Sequence, residues 1–249
     1  MRHTLIAIAI LATVATALPA RADSEADAVK AITLAGGTVR YDETSRKVVN
    51  VFVQGKDVTD AMVLFIRSLS DLESLTLYHT SVSDVAMQHL GALKKLRFLS
   101  LEGTAIGDEG LGHLKALKGL ERLDLTLTKI SDKGLAHLKE LTSLHTLRLR
   151  RTDVGDAGAA HLKDMTKLTS LDLARTKITD KGVALLASLI DLKGLNLYDT
   201  VVGDDSVTTL AALKKLGFLV LKRTNVTAAG GNQLREALPD CLVAVSPRT

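Results

Sequence analysis

The 24 residues Leu120 to Ser143, LERLDLTLTKISDKGLAHLKELTS, decide the fold, because the chain repeats them without a slip in length. Leu144 to Lys167, LHTLRLRRTDVGDAGAAHLKDMTK, aligns with them position by position. Working outward, one column holds Leu72, Leu96, Leu120, Leu144, Leu168, Leu192 and Leu216. Two more hold the pairs Leu75/Leu77, Leu99/Leu101, Leu123/Leu125, Leu147/Leu149, Leu171/Leu173, Leu195/Leu197 and Leu219/Leu221. A threonine column runs through Thr80, Thr104, Thr128, Thr152, Thr176, Thr200 and Thr224, followed two residues on by Val or Ile at 82, 106, 130, 154, 178, 202 and 226. A weaker copy precedes these, with Val48, Val51, Val53 and Val58 in phase and Lys56 in the threonine column. A fixed period of this length marks a solenoid of stacked units.

Each column has a physical task. In L-x-L, alternation buries both leucines on one face of a short strand and exposes the residue between them. Stacked copies then form a parallel sheet. The threonine sits where the chain leaves the strand, and its hydroxyl is expected to satisfy backbone groups left unpaired by the turn, as a buried threonine ladder. After the turn comes [SGT]-D-x-G, in which Asp84, Asp108, Asp132, Asp156, Asp180 and Asp204 are expected to cap the following helix. Leucines spaced as in Leu111, Leu114 and Leu117 then face the sheet.

The pattern L-x-x-L-x-L-x-x-T-x-[IV]-[ST]-D-x-G-L resembles the leucine-rich-repeat signature, with Thr in place of the more usual Asn or Cys. It is similar to the repeats of many exported bacterial proteins and of F-box-type leucine-rich-repeat proteins, whose copies also read I-T-D-x-G-L. The resemblance covers about Val48 to Pro239. It implies an α/β solenoid, a right-handed horseshoe or arc with the parallel β-sheet on the concave side and helices on the convex side. The Ala237-Leu238-Pro239-Asp240-Cys241 ending resembles the closure of similar exported repeat proteins.

Open stacks need caps. Residues 23–47 are read as the N-terminal one: a helix from Ser24 to Ala35, broken by Gly36-Gly37, then a strand at Thr38 to Tyr41. About eight repeats, the first degenerate, fill 48–239. Thr227 caps a final helix stopped at Pro239, and 240–249 form a closing strand and tail. Residues 1–22 read as an export signal: Arg2 and His3, an apolar run from Leu5 to Leu18, and Ala20-Arg21-Ala22 as the cleavage site. That run is too short to span a bilayer, which takes roughly 20 residues. The expected destination is the periplasm or the extracellular space. Cleavage removes Arg2 and Arg21 and no acid, taking the formal charge from +4 to +2, too little to suggest nucleic-acid binding. With Cys241 the only cysteine and no Trp, stability must come from stacked aliphatic layers.

The register fixes which residues point from the sheet into the concave face. Five of the seven Phe and Tyr residues fall there: Phe52, Tyr78, Phe98, Tyr198 and Phe218. Exposed aromatics serve as binding anchors, or else they shield strand edges and caps. Arginines gather near the centre, at Arg122, Arg148, Arg150, Arg151 and Arg175. Because residues 24 apart lie on neighbouring strands about 4.8 Å apart, Asp124, Arg148 and Asp172 are expected to alternate as a neutralising ladder, and Asp199 to answer Arg175. A positive surplus remains around Arg150 and Arg151.

No nucleophile–base–acid set, phosphate loop or Cys/His metal spacing stands out from the repeat, so neither enzyme activity nor a cofactor is expected. His89, His113, His137 and His161 share a column on successive outer helices and do not converge as metal ligands must. The expected function is a recognition scaffold whose concave sheet binds a protein or an anionic glycan. A self-associating structural protein of the envelope is the alternative. An effector resembling F-box adaptors ranks lower, because about 25 residues between the signal and the repeats are too few for an F-box.

Overall fold

A computed structural model describes residues 24–247; the export-signal segment, residues 1–22, lies outside the described residues. Ten strands form one sheet in chain order: β1 Thr38–Tyr41, β2 Val48–Gln54, β3 Ser74–Tyr78, β4 Phe98–Ser100, β5 Arg122–Asp124, β6 Thr146–Arg148, β7 Ser170–Asp172, β8 Gly194–Asn196, β9 Phe218–Thr224 and β10 Leu242–Pro247. From β2 to β9 every neighbouring pair is parallel and shifted by one period, as in Leu123 opposite Leu147. Only β1 runs antiparallel, against β2.

Short helices return the chain behind the sheet, and their length follows from the sequence. Leu111, Leu114 and Leu117 are three residues apart, and the helix Asp108–Gly112 passes into a 3₁₀ turn at His113–Ala116, the conformation in which residues three apart eclipse. All three leucines are fully buried. The same change from α to 3₁₀ recurs behind Asp132–Leu135 and Asp180–Leu185. The leucine and Val/Ile columns form one continuous core along the solenoid.

The aspartates hold the structure together differently from the expectation. Each is the first residue of its helix rather than the residue before it, and its carboxylate reaches the next repeat. Asp60, Asp84, Asp108, Asp132, Asp156, Asp180 and Asp204 accept the backbone N–H of Ser83, Gly107, Ser131, Gly155, Thr179, Gly203 and Thr227, at 2.6–2.9 Å. The hydroxyls of Ser83, Ser131, Thr179 and Thr227 donate to the second carboxylate oxygen at 2.5–2.7 Å. Hydroxyl and glycine thus alternate at the residue before the helix; beside glycine-bearing Gly203, the Ser206 hydroxyl donates to Asp180 instead. The glycine of D-x-G is explained by the same contact: a Cβ at Gly110, Gly134, Gly158 or Gly182 would strike the carboxylate of the preceding repeat.

The threonine column is buried, and its bonds stay within each repeat rather than running between neighbours. From Thr104 to Thr224 each hydroxyl donates to the leucine carbonyl three residues earlier, at 2.6–2.8 Å. Thr80 departs from this: its buried hydroxyl has no partner among the described residues. Next to it, Lys56 of the degenerate repeat reaches across and donates its Nζ to the carbonyls of Gly103 and Thr80, at 3.1 and 3.4 Å.

At the N-terminal end the helix Glu25–Leu34 starts from Ser24, whose side chain accepts the Asp27 N–H, and buries Ala28 and Ile32. Its Glu25 carboxylate also accepts the N–H of Val48 at 3.1 Å. At the other end Thr227 caps the helix Ala228–Ala237, and β10 adds in parallel to β9, with Leu242 beside Phe218.

Candidate functional site

The strand-lined face carries the varying residues, and local geometry sets how each is presented. Immediately after the L-x-L pair the backbone turns out of the sheet through a left-handed residue in every repeat. His79, Leu127, Arg151, Arg175, Asp199 and Arg223 have φ of 51–58°, and Gly55 and Gly103 occupy the same column with φ of 102° and 68°. The turn lets each of these residues from Gly55 to Asp199 donate its N–H to a carbonyl of the following repeat, at 2.8–3.2 Å. For a non-glycine residue this conformation costs about 1–2 kcal/mol. Leucine and arginine hold it here only because the stacked repeats on both sides over-determine the turn. The two glycines in an otherwise side-chain-bearing column are the sequence signal for it.

The residues between the paired leucines are partly structural. Asp124, Asp172 and Asn196 each accept, through the side chain, the N–H two residues later, at 2.9–3.0 Å. That pattern is an Asx turn, which tightens the exit from the strand. The neutralising ladder is therefore only half formed. Arg148 donates to Asp124 at 3.1 Å, whereas Asp172 spends an oxygen on the Ala174 N–H and forms no ion pair with Arg148 among the described residues.

The aromatics and arginines form separate groups rather than one patch. Phe98 and Arg122 are register partners on β4 and β5, with the guanidinium carbon 5.6 Å from the ring centroid. Arg175 lies 5.5 Å from the centroid of Tyr198 and donates to Asp199 at 3.1 Å, as expected; Asp199 is shared with Arg223 at 3.3 Å. Such cation–π contacts contribute about 0.5–1 kcal/mol when exposed. Tyr78 meets His79 edge-on at 4.4 Å, Phe52 lies half-buried one strand away, and Phe218 is exposed at the far end of the sheet. Of the five aromatics, Tyr78 and Phe218 are exposed and Phe52, Phe98 and Tyr198 are half-buried.

Arg122, Arg148, Arg150 and Arg151 are exposed and Arg175 is half-buried. No carboxylate lies within ion-pair distance of Arg150 or Arg151 among the described residues. Arg151 and Arg175 line an open groove of about 580 Å³ at the strand exits, together with Leu127, Asp153, Lys177 and Asp199. Lys177 pairs there with Asp153 at 2.6 Å. Sequence reasoning missed Asp153 and Lys177, because it followed the strand and the turn and stopped at the threonine column. Glu102, on the same exit one repeat earlier, is held above the usual carboxylate range by burial and by the nearby Asp124, against the opposing pull of His79, Arg148 and Arg150.

On the opposite side of the solenoid, His89 is half-buried and His113, His137 and His161 are exposed on the outer turns. Among the described residues no group of three or more His, Cys, Asp or Glu converges as a metal site. No helix among them is long and apolar enough to cross a membrane.

Comparison with known proteins agrees with this architecture. A family profile described as leucine-rich repeat matches residues 92–114, 120–139, 140–162 and 164–187. Among solved structures, the chain is similar to an internalin (inlF) from Listeria monocytogenes str. 4b F2365, at 24% identity and a TM-score of 0.65. That alignment covers 77% of this chain and 53% of the internalin, so the chain spans about half of its length. It is also similar to an internalin C2 (inlC2) of the same organism, at 23% identity and a TM-score of 0.67, covering 80% and 81% of the two chains. At such identities the likeness concerns the fold. No curated protein sequence matches. With its period, its stacked parallel strands and these matches, the chain is built of leucine-rich repeats.

Proposed function

We propose that this chain is an exported, non-enzymatic recognition scaffold of the cell envelope or extracellular space, and that its strand-lined face binds another protein. Stacked repeats are suited to that task because they offer one long surface on a rigid support. The contact residues are Phe52, Tyr78, Phe98, Arg122, Arg148, Arg150, Arg151, Arg175, Tyr198 and Phe218. In this reading residues 1–22 direct export, 23–47 cap the first repeat, 48–239 carry the repeats and 240–249 close the stack. The observation that carries the proposal is the pairing of Arg122 with Phe98 and of Arg175 with Tyr198 on the strand-lined face, outside the buried columns that form the core. Arginine and tyrosine are the residue types that dominate binding hot spots. An anionic glycan is the second ligand class, through the same arginines.

The test is capture from envelope extract with the purified chain as bait. Tyr198→Ala and Arg150→Glu are each expected to lower recovery of the partner; Arg150→Glu leaves the melting temperature unchanged, and Tyr198→Ala lowers it only by the small loss of its contact with Arg175. Equal recovery by both variants would remove the face assignment. A second reading, self-association, draws on Leu242 and Phe218, 65% and 46% exposed and adjacent on the last two strands. An apolar pair at an unpaired sheet edge is a site where copies can join. Under that reading Leu242→Lys shifts a concentration-dependent oligomer to monomer in sedimentation, and Tyr198→Ala does nothing.

A further inference from the structure

The turn leaving each strand demands a left-handed residue, and glycine meets that demand without strain at Gly55 and Gly103. Wherever a side chain is kept instead, something must justify it. Arg175, Asp199 and Arg223 justify one another, since the two guanidiniums share one carboxylate. Leu127 is half-buried. Arg151 has no such reason. It is exposed, it lies at φ 56°, and among the described residues no ion pair or hydrogen bond engages its guanidinium. A strained residue whose side chain the fold does not use points to a use outside the fold.

The surroundings define that use. Arg151 opens onto the groove at the strand exits, beside Arg175 and Lys177, and Arg150 stands next to it. Three cations, Arg151, Arg175 and Lys177, line the groove with two carboxylates, Asp153 and Asp199. Lys177 already engages Asp153, and Arg175 engages Asp199 together with Arg223, so Arg151 is the lining charge left unanswered. The groove therefore attracts anions. We propose that it binds an acidic segment of the partner protein, with Arg151 as a principal contact; this rests on the recognition-scaffold reading and names the chemistry of the partner. A guanidinium receives a carboxylate through two parallel hydrogen bonds. Asp153 and Asp199 oppose a ligand charged on every unit, such as a sulfated glycan. They favour one whose carboxylates are spaced by uncharged residues, and Leu127 provides an apolar contact for those spacers.

The experiment measures binding of a fluorescent ten-residue peptide with Asp at alternate positions, by polarisation, to the purified chain and to Arg151→Gly, Arg151→Lys and Tyr198→Ala. Wild type is expected to bind the peptide and to weaken as salt rises. Arg151→Gly is expected to bind it about tenfold more weakly, a loss of one desolvated charge pair, while its denaturant midpoint stays the same or rises because glycine relieves the turn. Arg151→Lys is expected to retain most of the binding, since the charge remains. Peptide binding by Arg151→Gly equal to wild type overturns the proposal. So does binding of a sulfated oligosaccharide without binding of the peptide. Partner capture that depends on Tyr198 but is unaffected by Arg151→Gly overturns the groove assignment alone and leaves the scaffold reading standing.

Discussion

The corner at which each helix begins and the corner at which each strand ends are both joined to the next repeat by one backbone N–H per turn. At the helix corner the acceptor is a side chain, the aspartate of the preceding repeat, and the glycine of D-x-G leaves it room. At the strand corner the acceptor is a backbone carbonyl, so the residue that donates can be Gly, His, Leu, Arg or Asp. A joint made by a side chain fixes the sequence around it. A joint made by backbone leaves its positions open to residues chosen for other reasons, which is why the charged groove lies at the strand corner and not at the helix corner.

The largest effect is expected where the joint is a side chain. Asp156→Ala leaves the Thr179 N–H and hydroxyl without their acceptor, at 2.8 and 2.6 Å in the native chain. The loss is expected to be about 2 kcal/mol, since each of the two unmet donors in a part-buried site costs about 1 kcal/mol. Asp156→Asn keeps an acceptor oxygen and is expected to recover most of it. A denaturant midpoint unmoved by Asp156→Ala would break the comparison, because it would mean that backbone stacking alone holds the helix corner.

A smaller effect separates two threonines at the strand corner. Thr152 donates to the Leu149 carbonyl at 2.6 Å, whereas the Thr80 hydroxyl finds no partner among the described residues. Thr152→Val, nearly isosteric, is expected to destabilise by about 1 kcal/mol. Thr80→Val is expected to change stability by less than about 0.5 kcal/mol, or to improve it, because an unpaired buried hydroxyl gives way to a methyl group. Chemical denaturation of the two variants side by side checks the difference; equal losses would mean that the column acts through packing and not through its hydroxyls.

The strands, their register and the buried columns were legible in the sequence because side-chain alternation and a fixed period determine them: Leu123 faces Leu147 since both must be buried and lie 24 residues apart. The threonine column was legible as buried, yet the direction of its bonds was not, because a hydroxyl can serve either its own turn or its neighbour's. The aspartates were read as caps of their own helices, since the pattern S/T-D resembles a capping sequence locally and nothing in one repeat reveals a carboxylate pointed at the next. The exposed side chains Arg150 and Arg151 could be placed on the strand-lined side. The left-handed turn beneath Arg151 is signalled only by Gly55 and Gly103 in its column, since arginine itself disguises the dihedral, and the contribution of Lys177 from beyond the threonine depends on the path the chain takes after that turn.

The smallest expected effect concerns Glu102, beside Gly103 at the same strand corner, and it depends on pH. Burial and Asp124 raise its pKa above the ordinary 4.5, so the folded chain holds this proton at pH values where the unfolded chain has released it. Stability from this group is then fully present below about 4.5 and is lost as pH rises through the folded value. Glu102→Gln removes the ionisation. The variant is expected to match wild type near pH 4 and to exceed it slightly at pH 7, so that the difference between their denaturant midpoints opens as pH rises. A difference that instead closes with rising pH would mean that Arg148 and Arg150 outweigh burial, and that the arginines spend part of their charge on Glu102 within the fold. The sign of that slope thus tells how much of the central positive charge at the strand corner is left for a ligand.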